Sequence, residues 1–165
     1  MEELALVYAR NFGLPLVGLR LFTVYGPRQR PDMLFHLLCR ALLEGSEISI
    51  YGDGEQSREF TFVSDVVDAF LLAAKMGREG ELYNVGGGSR ATINETIEQL
   101  VTISGKTVRR RDTGTLAGDA RKTAADITKA RTELGYAPVV SLRDGLECEY
   151  RWLEATIAAE EPANR

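Results

Sequence analysis

The chain has 165 residues, a length that suits one domain with its own hydrophobic core. Hydrophobic residues make up 44% and charged residues 27% of the chain, and this balance excludes a disordered or fibrous protein. The formal net charge of −4 excludes a general attraction to nucleic acid or anionic lipid, so any site for an anion must be local.

The predicted elements begin with a helix over residues 3–12, which places its apolar side chains on one face. The apolar run 16–22 predicts a strand that is buried on both faces, as in a parallel sheet. After a loop over 25–32, residues 33–43 predict a helix that is apolar nearly all round. Its polar stripe begins at His36, which we therefore expect to face solvent rather than to bind a metal.

Three short strands are predicted in the middle of the chain, over residues 47–51, 59–63 and 81–85. Ser64 and Asp65 follow the second of these strands and are predicted to cap the next helix. Thr92 and Glu95 have the spacing of a capping box, which predicts that a further helix starts there.

The last quarter of the chain predicts two more helices. A short one runs over 126–134 and ends at Gly135, and a long one begins at Ser141, with apolar residues at helical spacing. We expect a frayed tail over 159–165. The alternation of helices and short strands predicts the α/β fold class.

Residues 86–91 formally match Gly-x-Gly-x-x-Ala, the phosphate-binding motif of dinucleotide-binding folds. In that motif the third small residue lies inside the helix, whereas here the capping box starts the helix only at Thr92. We therefore interpret the glycines as a flexible turn between a strand and a helix. The basic run 109–111 is interpreted as a solvated strand or loop, because nucleic-acid binding needs a broader basic surface with stacking aromatic side chains.

The content of cysteine and histidine argues against a metal site or a disulfide framework. Cys39 and Cys148 lie far apart in the sequence, and the chain has a single histidine. This cysteine usage, together with the lack of an apolar run of about 20 residues, predicts a cytoplasmic protein without a membrane partner. Tyr25 and Tyr51 are candidates for an acid, a base or a stacking platform, although packing is the commoner role of a tyrosine beside a strand.

Several blocks, taken together and in this order, resemble the extended short-chain dehydrogenase/reductase family, and within it the NAD-dependent nucleotide-sugar epimerases and dehydratases. The blocks are Leu19-Arg20-Leu21-Phe22-Thr23-Val24-Tyr25-Gly26-Pro27-Arg28-Gln29, Tyr51-Gly52-Asp53-Gly54 with Gln56, Arg58 and Phe60, Asp65-Val66-Val67, Tyr83-Asn84-Val85-Gly86, Gly118-Asp119, Ala125-Asp126 and Leu134-Gly135-Tyr136 with Pro138. They span nearly the whole chain and are most similar to the UDP-glucuronate and UDP-glucose 4-epimerases.

The resemblance implies that the chain is the C-terminal part of a Rossmann-type fold together with its small substrate-binding domain. Residues 1–158 would form a single C-terminal substrate-binding unit. Within it, 1–32 and 81–104 would contribute the last helix and strands of the Rossmann half.

The resemblance also implies roles for residues that would contact the nucleotide. Arg58 matches the arginine that holds the substrate diphosphate, a role that suits its planar fork of donors. Tyr51 would line the nucleobase pocket, Asp119 would lie near the ribose, and Phe22 would border the nicotinamide of NAD. Leu116 stands where many relatives have an arginine, which puts one phosphate contact in question.

Two further residues point to the sugar. Thr23 and Arg30 resemble the branch of the family that acts on UDP-uronic acids, where both would meet the sugar carboxylate. A charge-assisted pair between that carboxylate and Arg30 would favour a uronate over a neutral hexose, because a neutral sugar leaves the arginine unpaired.

Catalysis in this family needs a glycine-rich NAD loop and a Tyr-x-x-x-Lys pair, and neither motif occurs in this chain. The resemblance therefore predicts the UDP-sugar-binding portion of an NAD-dependent 4-epimerase, without catalytic residues, inactive by itself and with no NAD bound to it. A portion of a 4,6-dehydratase and a non-catalytic binding or assembly module stay open as alternatives. The expected partners are a nucleoside-diphosphate sugar and either further copies of the chain, as a homo-oligomer, or an N-terminal Rossmann half.

Overall fold

Helices and strands alternate along residues 2–114 and 121–160, the part of the chain that this computed structural model describes. The helices are α1 Glu2–Phe12, α2 Leu34–Glu44, α3 Val63–Met76, α4 Ile93–Ser104, α5 Thr128–Leu134 and α6 Leu142–Glu160. The strands are β1 Gly18–Leu21, β2 Val24–Tyr25, β3 Glu47–Tyr51, β4 Ser57–Phe62, β5 Leu82–Val85, β6 Ser89–Thr92 and β7 Arg109–Thr113. This order confirms the predicted α/β class.

The strands form three small sheets. β1 pairs in parallel with β5, and β3 pairs in parallel with β7. The third sheet has the order β2-β4-β6, in which β4 pairs in parallel with β2 and antiparallel with β6. β4 is therefore the central strand of the sheet that connects the first third of the chain to the segment after residue 88.

Two hydrophobic cores lie beneath these sheets. The larger core joins α2, α4 and α6 to β3, β4 and β6, and it contains the packed rings of Tyr25, Phe35 and Phe60. The ring centroids of Phe35 and Phe60 are 4.5 Å apart, and those of Tyr25 and Phe35 are 5.2 Å apart at a near-perpendicular angle. The smaller core joins α3 and α5 to β5 around Tyr83 and Tyr136.

The strand predicted over 16–22 is shorter and more exposed than the sequence indicated. β1 does pair in parallel, as predicted, but only its first half is partly buried, while Arg20 and Leu21 are exposed. Among the described residues, β5 is the only strand that pairs with β1, so its second edge and part of its surface stay uncovered. The expectation of a strand buried on both faces was therefore wrong.

His36 was predicted to face solvent, and the structure contradicts this. Its side chain is buried against α6, where its ring meets that of Trp152 at a centroid distance of 6.2 Å. Leu37 is exposed in its place. The sequence of α2 could not show which side of the helix α6 would cover. The helix is apolar nearly all round, so its pattern does not single out one buried side.

The local capping signals had different outcomes. Thr92 and Glu95 form the predicted capping box at the start of α4. Asp65 is buried in the first turn of α3 and does not cap it. Its carboxylate instead accepts hydrogen bonds from the backbone N–H groups of Val139 and Val140, at 3.2 and 3.3 Å.

The C-terminal helix α6 continues through Glu160, two residues into the segment predicted to fray. Ser141 accepts a hydrogen bond from the backbone N–H of Asp144 at 3.1 Å, so the predicted start of this helix is confirmed. No helix within residues 2–114 and 121–160 has both the length and the apolarity to cross a bilayer. The division of the chain into parts of a Rossmann half and a substrate-binding unit stays a prediction.

Candidate functional site

The carboxyl end of β1 carries two of the predicted site residues. Phe22 follows the strand directly, and its backbone N–H donates to the carbonyl of Val85 at the same end of β5, at 3.0 Å. The carbonyl of Thr23 then accepts from the N–H of Thr61 in β4, also at 3.0 Å. Ligands of open α/β folds bind at the carboxyl ends of parallel strands, so Phe22 and Thr23 occupy a position typical of a binding site.

A tight turn over Gly26–Arg30 forms the wall of a cleft of about 310 Å³. The N–H of Gln29 donates to the carbonyl of Gly26 at 3.0 Å, and Arg28 has a left-handed backbone with φ 71°. Arg30 ends the turn with its side chain in solvent, where it pairs with Asp32 at 3.0 Å. A surface ion pair of this kind contributes little to stability, so an anionic ligand can displace it at small cost.

Arg58 lies near the beginning of β4 and is partly buried. One of its guanidinium N–H groups donates to the carbonyl of Ser57 at 3.1 Å. Thr61, which holds Thr23, is three residues further along β4, a separation of about 10 Å in a strand. Arg58 thus lies in β4, and Thr23 contacts the same strand through its backbone carbonyl about 10 Å further along.

Tyr51 ends β3 with an exposed side chain, beside the turn 52–54. The carbonyl of Tyr51 accepts from the side-chain amide of Gln56 at 2.8 Å, which ties it to the start of β4. Asn94 and Arg110 hold the turn itself, because both side chains donate to the carbonyl of Asp53, at 3.1 and 3.2 Å. Tyr51 is therefore an exposed aromatic ring on a braced turn, a geometry that suits stacking rather than proton transfer.

The basic run 109–111 was predicted to be a solvated strand or loop. It is a strand, β7, but Arg110 is not solvated, because its side chain is three-quarters buried against the turn 52–54. Arg111 faces the other way and forms a surface ion pair with Glu47 at 3.0 Å. The alternation of side chains along a strand explains this difference between neighbouring arginines.

Tyr25 was a candidate acid or base, and its environment favours packing instead. The side chain is buried, and its hydroxyl lies 3.4 Å from the carbonyls of Ser141 and Leu142. Burial, followed by the nearby carboxyl of Glu149, raises the pKa of this phenol well above its ordinary value. A phenol that resists ionisation in this way is a poor general base near neutral pH.

Glu149 is a buried carboxyl that the sequence analysis missed. It lies in α6 with no exposed surface, and its Oε2 accepts a hydrogen bond from the N–H of Gly26 at 2.8 Å. Burial raises its pKa to about 8, partly offset by that hydrogen bond. The sequence contains a signal for it, because residue 149 falls on the apolar stripe formed by Leu142, Leu146 and Leu153.

The glycine run after β5 does not form a cradle for the NAD diphosphate. A side chain at Gly87 would collide with the carbonyl of Phe60, so the backbone packs directly on β4. The N–H of Gly88 already donates to Oε1 of Glu59, at 3.1 Å. That backbone donor is therefore already occupied by a side chain of the same fold. Residues 86–91 were expected to form a turn, but Ser89–Thr92 pairs with β4 as strand β6, so the second half of that expectation was wrong.

The cleft beside the turn Gly26–Arg30 includes Arg30, but its lining within the described residues contains none of Thr23, Tyr51 and Arg58. These three lie along or beside β4, outside that cleft. Asp119 lies outside the described residues, so its expected place near the ribose is a prediction. Among the residues that the structure describes, no group of three His, Cys, Asp or Glu side chains is arranged to hold a metal ion.

A sequence model described as the NAD dependent epimerase/dehydratase family matches residues 1–86. The chain belongs to this family. Its fold also matches the C-terminal portion of Rossmann-type epimerase and dehydratase structures, as the sequence motifs predicted. NAD is a cofactor of the intact enzymes of the family.

Three family members illustrate the similarity. The protein named uncharacterized UDP-glucose epimerase YtcB, of Bacillus subtilis strain 168, is 43% identical over 96% of this chain and 51% of its own length. The structure of UDP-glucuronic acid 4-epimerase from Bacillus cereus with UDP-glucuronic acid and NAD is 45% identical, with a TM-score of 0.90 over 94% of this chain and 50% of that one. The dTDP-glucose 4,6-dehydratase DesIV from Streptomyces venezuelae is 33% identical, with a TM-score of 0.90 over 98% of this chain and 50% of its own. The chain therefore spans about half the length of the relatives it matches.

Proposed function

We propose that this chain supplies the sugar-nucleotide-binding portion of an NAD-dependent nucleotide-sugar 4-epimerase that acts on a UDP-uronic acid. The observation that carries this proposal is the likeness to the Bacillus cereus enzyme, whose structure holds UDP-glucuronic acid and NAD. The contacts made at β4 support it, because the strand carries Arg58, Thr23 is bonded to Thr61 of the same strand, and Tyr51 is bonded to Gln56 just before it. A nucleotide sugar is likewise an extended ligand, with a base at one end and a sugar at the other.

Each residue of this set offers a different interaction. The exposed ring of Tyr51 provides a surface for the nucleobase, and the guanidinium of Arg58 grips two diphosphate oxygens at once. Arg30, on the rim of the cleft, exchanges its surface pair with Asp32 for the carboxylate of the sugar, and the hydroxyl of Thr23 donates to the same group. The diphosphate is thus held firmly while the sugar is held by fewer contacts, as a ring that must turn over requires.

NAD supplies the hydride exchange in intact enzymes of this family. The glycine run of this chain does not fit its diphosphate, and the contact of Phe22 with the nicotinamide is part of the proposal. Because the sequence also contains no Tyr-x-x-x-Lys pair, we expect no epimerase turnover from the 165-residue chain alone. Self-association, or pairing with an N-terminal Rossmann half, is proposed as well, and the exposed Leu4 and Phe12 of α1 support it.

Calorimetric titration with two sugar nucleotides tests the assignment. The variant Arg30→Gln should lose affinity for UDP-glucuronic acid at least tenfold, because a hydrogen bond between charged groups is worth about 1.5–3 kcal/mol. It should bind UDP-glucose as the wild type does. The matched control is Arg40→Gln, which removes an exposed arginine of α2 paired with Glu44. Equal losses for both sugars, or no binding of either nucleotide by the wild type, would refute the proposal.

A 4,6-dehydratase is the second candidate, favoured by the likeness to the Streptomyces venezuelae enzyme. Mass spectrometry after incubation of the complete protein with NAD separates the two reactions. An epimerase gives a product of unchanged mass, whereas a dehydratase gives a product that has lost one water. Binding of the nucleotide without any product would instead favour a non-catalytic binding module.

A further inference from the structure

Tyr51 and Arg58 belong to two different sheets. Tyr51 ends β3, which pairs with β7, whereas Arg58 lies in β4, which pairs with β2 and β6. Among the described residues, no strand pairing connects these two sheets, and the chain passes from β3 to β4 through residues 52–56. Backbone pairing therefore does not by itself fix the distance between the aromatic ring and the guanidinium.

A contact between two side chains bridges the two sheets. Arg110 lies in β7, which pairs with β3, and its Nη1 donates to Oδ1 of Asn94 at 2.5 Å. Asn94 follows the end of β6 by two residues, and β6 pairs with β4. The contact thus links the sheet that carries Tyr51 to a segment fixed on the sheet that carries Arg58.

The same two side chains also hold the turn between the sheets. Besides the carbonyl of Asp53, which both of them bind, the backbone N–H of Asn94 donates to the carbonyl of Gly54 at 3.1 Å. A side chain at Gly54 would collide with Oδ1 of Asn94, so the turn lies directly against the contact. Nε of Arg110 donates to Asp112 on its own strand, which fixes the direction of the guanidinium. Because the charged donor is largely shielded from solvent, these hydrogen bonds are strong and directional.

We propose that Arg110 is a positioning residue for the nucleotide: its contact with Asn94 sets the spacing between Tyr51, at the base end, and Arg58, at the diphosphate end. This inference rests on the proposed function for the roles of Tyr51 and Arg58. A ligand with two ends gains affinity from its second end only if the protein already holds both sites at the correct spacing. Loss of the contact should therefore weaken the binding of a nucleoside diphosphate and spare a ligand that reaches only one of the two sites.

Three variants separate this role from a general effect of charge or folding. Arg110→Met removes the donors of the contact and keeps an apolar stem of similar length. The matched control Arg111→Met removes the same charge from the next residue of β7, where the arginine forms a surface pair with Glu47. Asn94→Ala removes the acceptor of the contact from its other side, so the inference can be tested even if Arg110→Met does not fold.

Nuclear magnetic resonance titrations of the full chain with UDP and with inorganic pyrophosphate test the spacing. Stacking of a base on an aromatic ring contributes about five- to 150-fold in affinity. Arg110→Met should therefore bind UDP roughly fivefold more weakly than Arg111→Met does, since part of the stacking is lost. Pyrophosphate reaches only Arg58 and should bind these two variants equally. Asn94→Ala should likewise lose affinity for UDP and retain the wild-type affinity for pyrophosphate.

Two results of these titrations would overturn the inference. One is an equal loss of affinity for UDP and for pyrophosphate in Arg110→Met, because damage to the whole site weakens both ligands. The other is an affinity for UDP that is the same in Arg110→Met and Arg111→Met.

Amide hydrogen exchange without any ligand tests the link between the sheets separately from the nucleotide. The N–H of Gly52 donates to the carbonyl of Thr113, and that of Asn94 donates to the turn. Both should exchange roughly tenfold faster in Arg110→Met than in Arg111→Met, since hydrogen bonds from a charged group are lost. Equal exchange in the two variants would refute the link. Faster exchange in Arg110→Met, together with a wild type that binds neither UDP nor pyrophosphate, would refute the proposed function and leave the link standing.

Discussion

The burial of Glu149 predicts how the stability of this protein depends on pH. In the unfolded chain this carboxyl ionises near its ordinary pKa of 4.5, whereas burial raises its pKa in the folded chain to about 8. Between these values the folded chain binds a proton that the unfolded chain has released. The free energy of unfolding therefore falls as the pH rises from about 4.5 to about 8, and it levels off above that range.

The variant Glu149→Gln should remove this dependence. A pKa difference of one corresponds to about 1.4 kcal/mol. The raised pKa of Glu149 therefore lowers the free energy of unfolding of the wild type by about 3 kcal/mol at pH 7 and by at most about 5 kcal/mol above pH 8. Glutamine does not ionise, and its amide oxygen can accept the N–H of Gly26 as Oε2 does. Both proteins should have similar stability near pH 5, and the variant should become the more stable one by several kcal/mol toward pH 9.

Urea unfolding at pH 5, 7 and 9 measures this difference. Trp152 is the single tryptophan of the chain and lies in α6, one turn from Glu149, so its fluorescence reports on the relevant helix. Glu147→Gln serves as the control and should follow the wild type. Parallel pH dependence in the wild type and in Glu149→Gln would show that the carboxyl is already hydrated in the folded chain, and the reasoning would fail.

Two further substitutions test packing around the site by urea unfolding. Asp65→Ala leaves two backbone N–H groups before α6 without their acceptor, so it should lower the free energy of unfolding by about 1–3 kcal/mol. The control Asp68→Ala changes an exposed residue and should alter this free energy by less than about 0.5 kcal/mol. Equal effects of the two aspartate variants would contradict the buried role of Asp65. Gly145→Ala places a methyl group against the hydroxyl of Tyr25 and should cost about 1–3 kcal/mol, while Gly114→Ala, with open space around it, should be nearly neutral. A neutral Gly145→Ala would mean that α6 can shift away from β2.

The amino-acid sequence by itself determined the features that depend on neighbours along the chain. The helices followed from apolar spacing, and the capping box of Thr92 with Glu95 placed the start of α4 correctly because its hydrogen bonds span only three residues. Motifs in a fixed order, such as the one around Arg58, predicted the family correctly, together with its α/β fold and the use of NAD by its intact enzymes. The roles assigned to individual site residues stay predictions.

The tertiary structure alone decided the features that depend on distant segments. β6 is a strand because β4 offers it a backbone partner, which no local pattern in that segment indicated. For residues 109–111 the sequence left a strand and a loop open, and pairing with β3 decides for the strand. His36 is buried because α6 covers that side of α2, and Asp65 binds the segment before α6 rather than capping its own helix. Glu149 acquires its raised pKa in the same way, because it lies in an apolar core whose residues come from distant segments of the chain. Hydrogen bonds and burial depend on distances in space. A local sequence pattern therefore predicts them only where the partners are also close along the chain.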